Sequence, residues 1–318
     1  MWSFMLVLAR IIVFPLCRLR VSGRVPDGLR GRALILAANH VSPFDPIVMT
    51  AACHKVRIAP RFMATGGIFD APIAGPAMRA AGHIRVDRNT THVADALPSA
   101  VQALRDGAMV LVYPEGRIGL DPWMWPERGK TGVARMADLA GAPVLPVAQW
   151  NTHTVLPYTI PVGLGRSLLR ALRHRPVVHV RFGDTPVDLS QVTGTPGARA
   201  MKATRLIMEG IDETLAHLRT GEMETPRTVD HTRAVDNSRL RPRPNRPNLT
   251  PQPTRSRPAA LPATLRATPA DEPATRAGQP ATRADQPVSP ADQTATRADQ
   301  PATRADQPAT PAAEPGPA

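Results

Sequence analysis

Apolar and polar positions follow two regimes along this chain. In the first, short unbroken apolar runs stand between turn residues. Ala33-Leu34-Ile35-Leu36-Ala37-Ala38 is the clearest, and Met109–Tyr113 and Val144-Leu145-Pro146-Val147-Ala148 repeat the pattern. Such runs predict strands buried on both faces, as in a sheet covered by helices. Arg57–Met63, Ile84-Arg85-Val86 and Val177–Phe182 predict further strands. In the second regime apolar residues recur at helical spacing. Val93, Leu97, Val101 and Leu104 share one face of a helix that Pro98 is expected to kink and Gly107 to end. Pro72–Ala81 and Val133–Ala140 predict short helices. The stripe Met201, Thr204, Met208, Ile211, Leu215, Leu218 predicts a longer one packed on the core. Alternating elements of this kind imply an α/β domain with its chemistry on loops at strand ends.

Both ends of the chain depart from this alternation. Met1–Cys17 holds 14 apolar residues, interrupted by Ser3, Arg10 and Pro15. That is short of the roughly 20 residues a spanning helix needs, and it lacks the basic start and small-residue cleavage site of a signal peptide. Ser3, Arg10 and Cys17 recur every seventh residue, and Arg18, Arg20 and Arg24 follow. Residues 1–19 therefore read as a helix lying in a membrane interface with arginines at the headgroups. A helix covering the core, or a span with a snorkelling arginine, are the other readings. From about Thr225 onward Pro, Arg, Ala, Thr, Asp and Gln dominate, and a seven-residue near-repeat begins at Gln279, Gln286, Gln293 and Gln300. Proline in most units and the lack of large apolar residues exclude a coiled coil. Residues 223–318 are expected to be a disordered extension, and residues 20–222 the domain. A chain ending after about Thr225 is expected to fold and stay active.

Charge narrows the function classes. The net charge is +13, which points to an anionic membrane surface, an anionic substrate, or both. Nucleic acid is disfavoured: aromatics for base stacking make up only 4% of the chain, and no binding motif is present. Cys17 and Cys53 form no disulfide framework or metal spacing, and the histidines make no zinc pattern.

Three strand-end loops carry candidate chemistry. In Asn39-His40-Val41-Ser42-Pro43-Phe44-Asp45 a histidine and an aspartate stand five apart after a buried strand. Ser42 is placed to cap a helix starting at Pro43, with Asp45 in its first turn. Two readings stand level here: a base with an orienting carboxylate, or a capping turn beside a bystander histidine. Gly82-His83-Ile84-Arg85-Val86-Asp87-Arg88 gathers cations at a second strand end, where a solvated turn is the plainer account. Tyr113-Pro114-Glu115-Gly116-Arg117 sets a carboxylate beside an arginine at a third, as either a tight turn or a holder of polar substrate.

In this order the loops resemble the blocks of the glycerolipid acyltransferase family, most closely its bacterial 1-acylglycerol-3-phosphate acyltransferases. Asn39, His40 and Asp45 match N-H-x4-D. Gly82, Ile84, Val86, Asp87 and Arg88 match the second block, and Tyr113, Pro114, Glu115 and Gly116 the third. Leu145-Pro146-Val147 matches the fourth, and Trp125–Gly132 is similar to a segment between the last two. The resemblance implies one acyltransferase domain, a mixed sheet flanked by helices, on the cytoplasmic face of the cell membrane as a peripheral or monotopic protein. It implies acyl transfer from acyl-CoA or acyl carrier protein to the hydroxyl of lysophosphatidic acid, with His40 as general base and Asp45 its partner. Arg85, Arg88, Glu115, Gly116 and Arg117 would bind substrate, and neither metal nor further cofactor is called for. Two cationic positions depart from the family pattern: Thr65 follows Met63-Ala64 where many members have lysine, and Arg117-Ile118 replaces the usual Thr-Arg. These departures leave room for a different lysolipid acceptor. A non-catalytic membrane-binding protein on the same fold is the third reading, opposed by the intact His40–Asp45 pair.

Overall fold

The computed structural model describes residues 2–87, 96–159, 163–233 and 235–243, with side chains from Val7 onward. Seven strands form one sheet: β1 (Arg18–Ser22), β2 (Leu34–Ala38), β3 (Arg61–Thr65), β4 (Ile84–Val86), β5 (Met109–Val112), β6 (Val144–Trp150) and β7 (Val177–Phe182), in the spatial order β1-β7-β6-β2-β5-β3-β4. The five strands from β6 to β4 are parallel. β7 runs antiparallel to β6, and β1 is parallel to β7, so the sheet is mixed.

The apolar runs explain the layering. β2 sits mid-sheet, and all five of its residues are buried. Because side chains alternate across a strand, Leu34, Leu36 and Ala38 face one core, and Ile35 and Ala37 the other. The first core is covered by α1 (Trp2–Leu16), α2 (Asp45–Lys55) and α7 (Leu164–His174); the second by α5 (Ala96–Arg105), α6 (Gly132–Ala140) and α8 (Pro196–Ala216). Two short helices, α3 (Gly66–Asp70) and α4 (Ala74–Ala80), join β3 to β4, where one helix was expected from Pro72. Pro98 lies in the first described turn of α5, where a missing N–H costs little.

The N-terminal expectation changes in part. α1 forms, and Ala9, Val13 and Leu16 bury against the first core, while Val7, Leu8, Ile11 and Phe14 stay exposed. Arg18 and Arg20 do not trail α1 as loose anchors: they belong to β1, an edge strand registered on β7 from Arg18↔Val177 to Ser22↔Arg181. No helix among the described residues is long and apolar enough to cross a membrane.

Candidate active site

β2, β5 and β6 run in one direction, so the loops after them meet at one end of the sheet. β2 delivers Asn39 and His40. Asn39 is fully buried and bonded to Gln149 at the end of β6. That bracket fixes the chain direction where His40 leaves the strand. The His40 ring stacks on Tyr113 at the end of β5, with centroids 4.3 Å apart.

Asp45 opens α2, two residues later than expected from Ser42-Pro43. Its Oδ2 takes three donors: Val41 N–H at 2.6 Å, Ser42 N–H at 2.9 Å and His40 Nδ1 at 2.8 Å. The carboxylate thus bends the loop back on itself and fixes the imidazole in one step. Its other oxygen, Oδ1, is buried without a hydrogen bond. With Nδ1–H donating to Asp45, Nε2 is the ring nitrogen left to accept a proton. The side-chain hydroxyl of Ser42 accepts from Phe44 N–H and donates to Leu156 O, so it is an architectural group and no nucleophile.

Glu115 reaches the same loop from β5. One carboxylate oxygen accepts His40 N–H at 2.9 Å and the other accepts Glu127 N–H at 3.0 Å. Burial pushes its pKa up to about 8, against the lowering effect of those two N–H groups. Both oxygens serve the backbone, so Glu115 holds the loops together and does not face outward to a polar substrate. Gly116 supplies the turn after it, at φ +69°, a conformation only glycine adopts freely.

Two of the three arginines expected to bind substrate are already paired. Arg85 donates to both Asp70 and Asp87. Arg117 donates to Glu127 through Nε and Nη2 and to Asp236 at 3.1 Å. Arg88 lies outside the described residues. His83 is also absorbed: its Nδ1 accepts Phe62 N–H, and burial pushes its pKa down to about 4. One further cation received no role from the sequence. Lys130 folds over Gly116, whose missing side chain leaves it room, and it makes no ion pair among the described residues.

A second group of residues was hidden from sequence reasoning. Residues 226–233 and 235–243, assigned by composition to the extension, pack on the site loops. Arg233 is fully buried and donates to Gly119 O at 2.5 Å and Val41 O at 2.8 Å. Arg239 donates to Glu115 O, and its own carbonyl accepts Arg128 N–H. Arg241 and Arg243 both bond Asp212 on α8. Behind them Arg219 is sandwiched between Trp125 and Trp150, 4.3 and 3.9 Å from the ring centroids. No apolar stripe signals this segment, because it is held by guanidinium groups on carbonyl and carboxylate oxygens. The rest of the extension, 244–318, lies outside the described residues.

A cavity of about 720 Å3 lies between α6 and α8 at the start of β6. That is the opposite end of the parallel strands from His40, so it takes no part in chemistry at the base.

The comparisons with known proteins agree with this geometry. Residues 18–150 match the acyltransferase family model. An uncharacterised protein of Mycobacterium tuberculosis is 30% identical over 157 residues, covering 46% of this chain and 41% of its own. The chloroplastic 1-acyl-sn-glycerol-3-phosphate acyltransferase BAT2 of Brassica napus is 24% identical over 170 residues, 53% of this chain and 48% of that one. The chain therefore spans less than half the length of these curated relatives. The crystal structure of the 1-acyl-sn-glycerophosphate acyltransferase PlsC from Thermotoga maritima superposes with a TM-score of 0.50 over 68% of this chain and 80% of that chain, at 22% identity. This last likeness is one of fold.

Proposed function

We propose, from the match of residues 18–150 to the acyltransferase family model, that the protein moves a fatty acyl group from an acyl thioester to the hydroxyl of 1-acylglycerol-3-phosphate, giving phosphatidic acid. The observation that carries the reading is the Asp45–His40 contact at 2.8 Å, on a loop tied down by Glu115. A hydroxyl is a weak nucleophile near neutral pH. His40 Nε2 takes its proton as the oxygen attacks the thioester carbonyl, and Asp45 stabilises the imidazolium that forms. The tetrahedral intermediate collapses by breaking the C–S bond, and the imidazolium returns the proton to the departing thiolate. The acyl group passes directly between substrates, in keeping with a Ser42 hydroxyl already engaged at both donor and acceptor positions.

Lys130 is the cation we assign to the acceptor phosphate. Arg85 and Arg117 are already held by carboxylates, so using either for phosphate means giving up those pairs. The same pairing favours a second reading, in which the chemistry is kept but the acceptor is another lysolipid. The membrane reading rests on the outward apolar residues of α1 and on Leu169 and Leu172 of α7, flanked by Arg166, Arg170 and Arg173. Surfaces of this composition bind anionic lipid interfaces.

One experiment separates the readings: a panel of lysolipid acceptors with a single acyl-CoA, run on the wild type, His40→Ala and Arg117→Ala. Phosphatidic acid formation that is lost in His40→Ala supports the proposal. Turnover of a different lysolipid alone replaces lysophosphatidic acid as acceptor. Activity surviving in His40→Ala removes His40 as the base.

A further inference from the structure

A second concave site lies away from the base. A cavity of about 360 Å3 opens between the ends of α1 and α2, the start of β1 and the corner between α7 and β7. Arg10, Arg18, His54, Lys55 and Arg175 line it, over an apolar floor that includes Val13, Phe14 and Cys17. No carboxylate lines it, and none of these cations makes an ion pair among the described residues. Lys55 and His54 have an ordinary explanation, since cations suit the last turn of a helix. Arg175 and Arg18 also serve backbone carbonyls, of Phe14 and Arg175, but Arg10 makes no hydrogen bond among the described residues, and gathering like charges in one hollow is unfavourable unless an anion joins them.

Arg175 is the built part of the site. Its backbone sits at φ +42°, its carbonyl accepts Arg18 Nε–H, and its Nη2 donates to Phe14 O at 2.7 Å. The guanidinium lies 4.9 Å from the Phe14 ring centroid. With the side chain pinned in this way, its Nε–H is buried and has no acceptor. A phosphate oxygen satisfies such a group, and a guanidinium suits phosphate geometry better than most anions. Burial pushes the Cys17 thiol up to about 11, so the floor adds no negative charge. Beside the rim, Phe14 is 69% exposed and Ile11 62%. These two flank the hollow with apolar surface, as the carbon portion of a lipid requires.

We propose that this cavity binds a phosphate group, borne by the headgroup of an anionic membrane lipid. The site is distinct from the catalytic one. Asp45 and Lys55 cap opposite ends of α2, a separation of roughly 15 Å at the rise of an α-helix. The inference shares with the proposed function only its membrane setting, and it is independent of acyl transfer, so it is tested in the His40→Ala background.

The experiment is sedimentation of the full chain with phosphatidylcholine vesicles, with and without phosphatidylglycerol, alongside thermal unfolding in inorganic phosphate alone. Arg10→Gln/Lys55→Gln is the pocket variant; both residues are exposed, so the fold is spared. Arg135→Gln/Arg205→Gln, exposed positions on α6 and α8 that cover the other core, is the control of equal charge. The pocket pair is expected to weaken binding to phosphatidylglycerol vesicles roughly tenfold, and the α6–α8 control pair far less. Vesicle selectivity without a response to inorganic phosphate assigns the group to lipid. Stabilisation of the wild type but not the pocket variant by inorganic phosphate, without vesicle selectivity, assigns it to the free ion and overturns the lipid source. Equal losses in both pairs, or no change in either, overturn the site.

Discussion

Asn39 and Gln149 hold one another through three hydrogen bonds: the Asn39 side chain accepts Gln149 N–H at 2.8 Å and donates to Gln149 O at 3.0 Å, while Gln149 Nε2 donates to Asn39 O at 2.7 Å. Both residues are fully buried. Asn39→Ala strands the backbone N–H and C=O of Gln149 away from water, at about 1–3 kcal/mol for each. Asn39→Asp is expected to be no better, because it turns a donor into an acceptor facing Gln149 O. Denaturant unfolding of the two variants checks this, and equal stability to the wild type would refute it.

Asp45 separates holding the loop from charging the base. All three donors converge on Oδ2, and Oδ1 has none. Asp45→Asn keeps the accepting oxygen in place if its amide nitrogen takes the Oδ1 position. The loop is then retained at a cost of about 1–3 kcal/mol for the unpaired amide. The imidazolium loses its counter-charge, and kcat is expected to fall by about 10²–10⁴-fold with KM little changed. Steady-state kinetics beside a melting curve tests the split. A variant that unfolds outright, or one that keeps full activity, contradicts it.

Glu115 links stability to pH. Its carboxyl titrates at about 8 in the folded protein against 4.5 when exposed, with burial as the leading cause. Between those values the folded state binds the extra proton, so stability falls as pH rises from about 4.5 to about 8. The loss across that window is on the order of a few kcal/mol. Unfolding free energies measured through this range are expected to decline, and to decline less in Glu115→Gln, whose side chain does not titrate. A flat profile for the wild type counts against the assignment.

Residues 226–243 move the functional boundary of the domain. A chain ending after Thr225 loses Arg233 and Arg239, and with them the clamps on Val41, Gly119 and Glu115. It is expected to be less stable and poorly active, whereas a chain ending after Arg243 keeps both properties. Arg233→Ala alone leaves two carbonyls and Asp230 short of a buried donor, at roughly 3 kcal/mol or more. Limited proteolysis with activity assays on the two truncations decides between this and the boundary that composition suggested.

What the sequence made legible was whatever apolar burial or fixed spacing encodes. The runs that form β2, β5 and β6 were legible, because strands buried on both faces carry no polar alternation, and the His40–Asp45 interval is a side-chain contact of 2.8 Å in the fold. β1 escaped notice because Arg18, Arg20 and Ser22 point outward from an edge and leave only Leu19 and Val21 to mark it. α7 escaped because its apolar ridge at Leu169 and Leu172 faces outward. For Arg85 and Arg117 the sequence shows a cation and hides its partner: Asp236 is far along the chain from Arg117 yet bonded to it. A site's charges are thus visible in a sequence, while the balance of free and spent charges is a property of the fold.

The pairing of β1 with β7 also has a consequence for the order in which the protein is made. Arg18 finds its partner at Val177, so β1 has no neighbour in the sheet until most of the domain has been synthesised. Loop closure over such a span is slow. During that interval the outward residues of α1 and both faces of β1 are bare together, which makes the nascent α1–β1 stretch a segment that chaperones or a lipid surface meet before the sheet does.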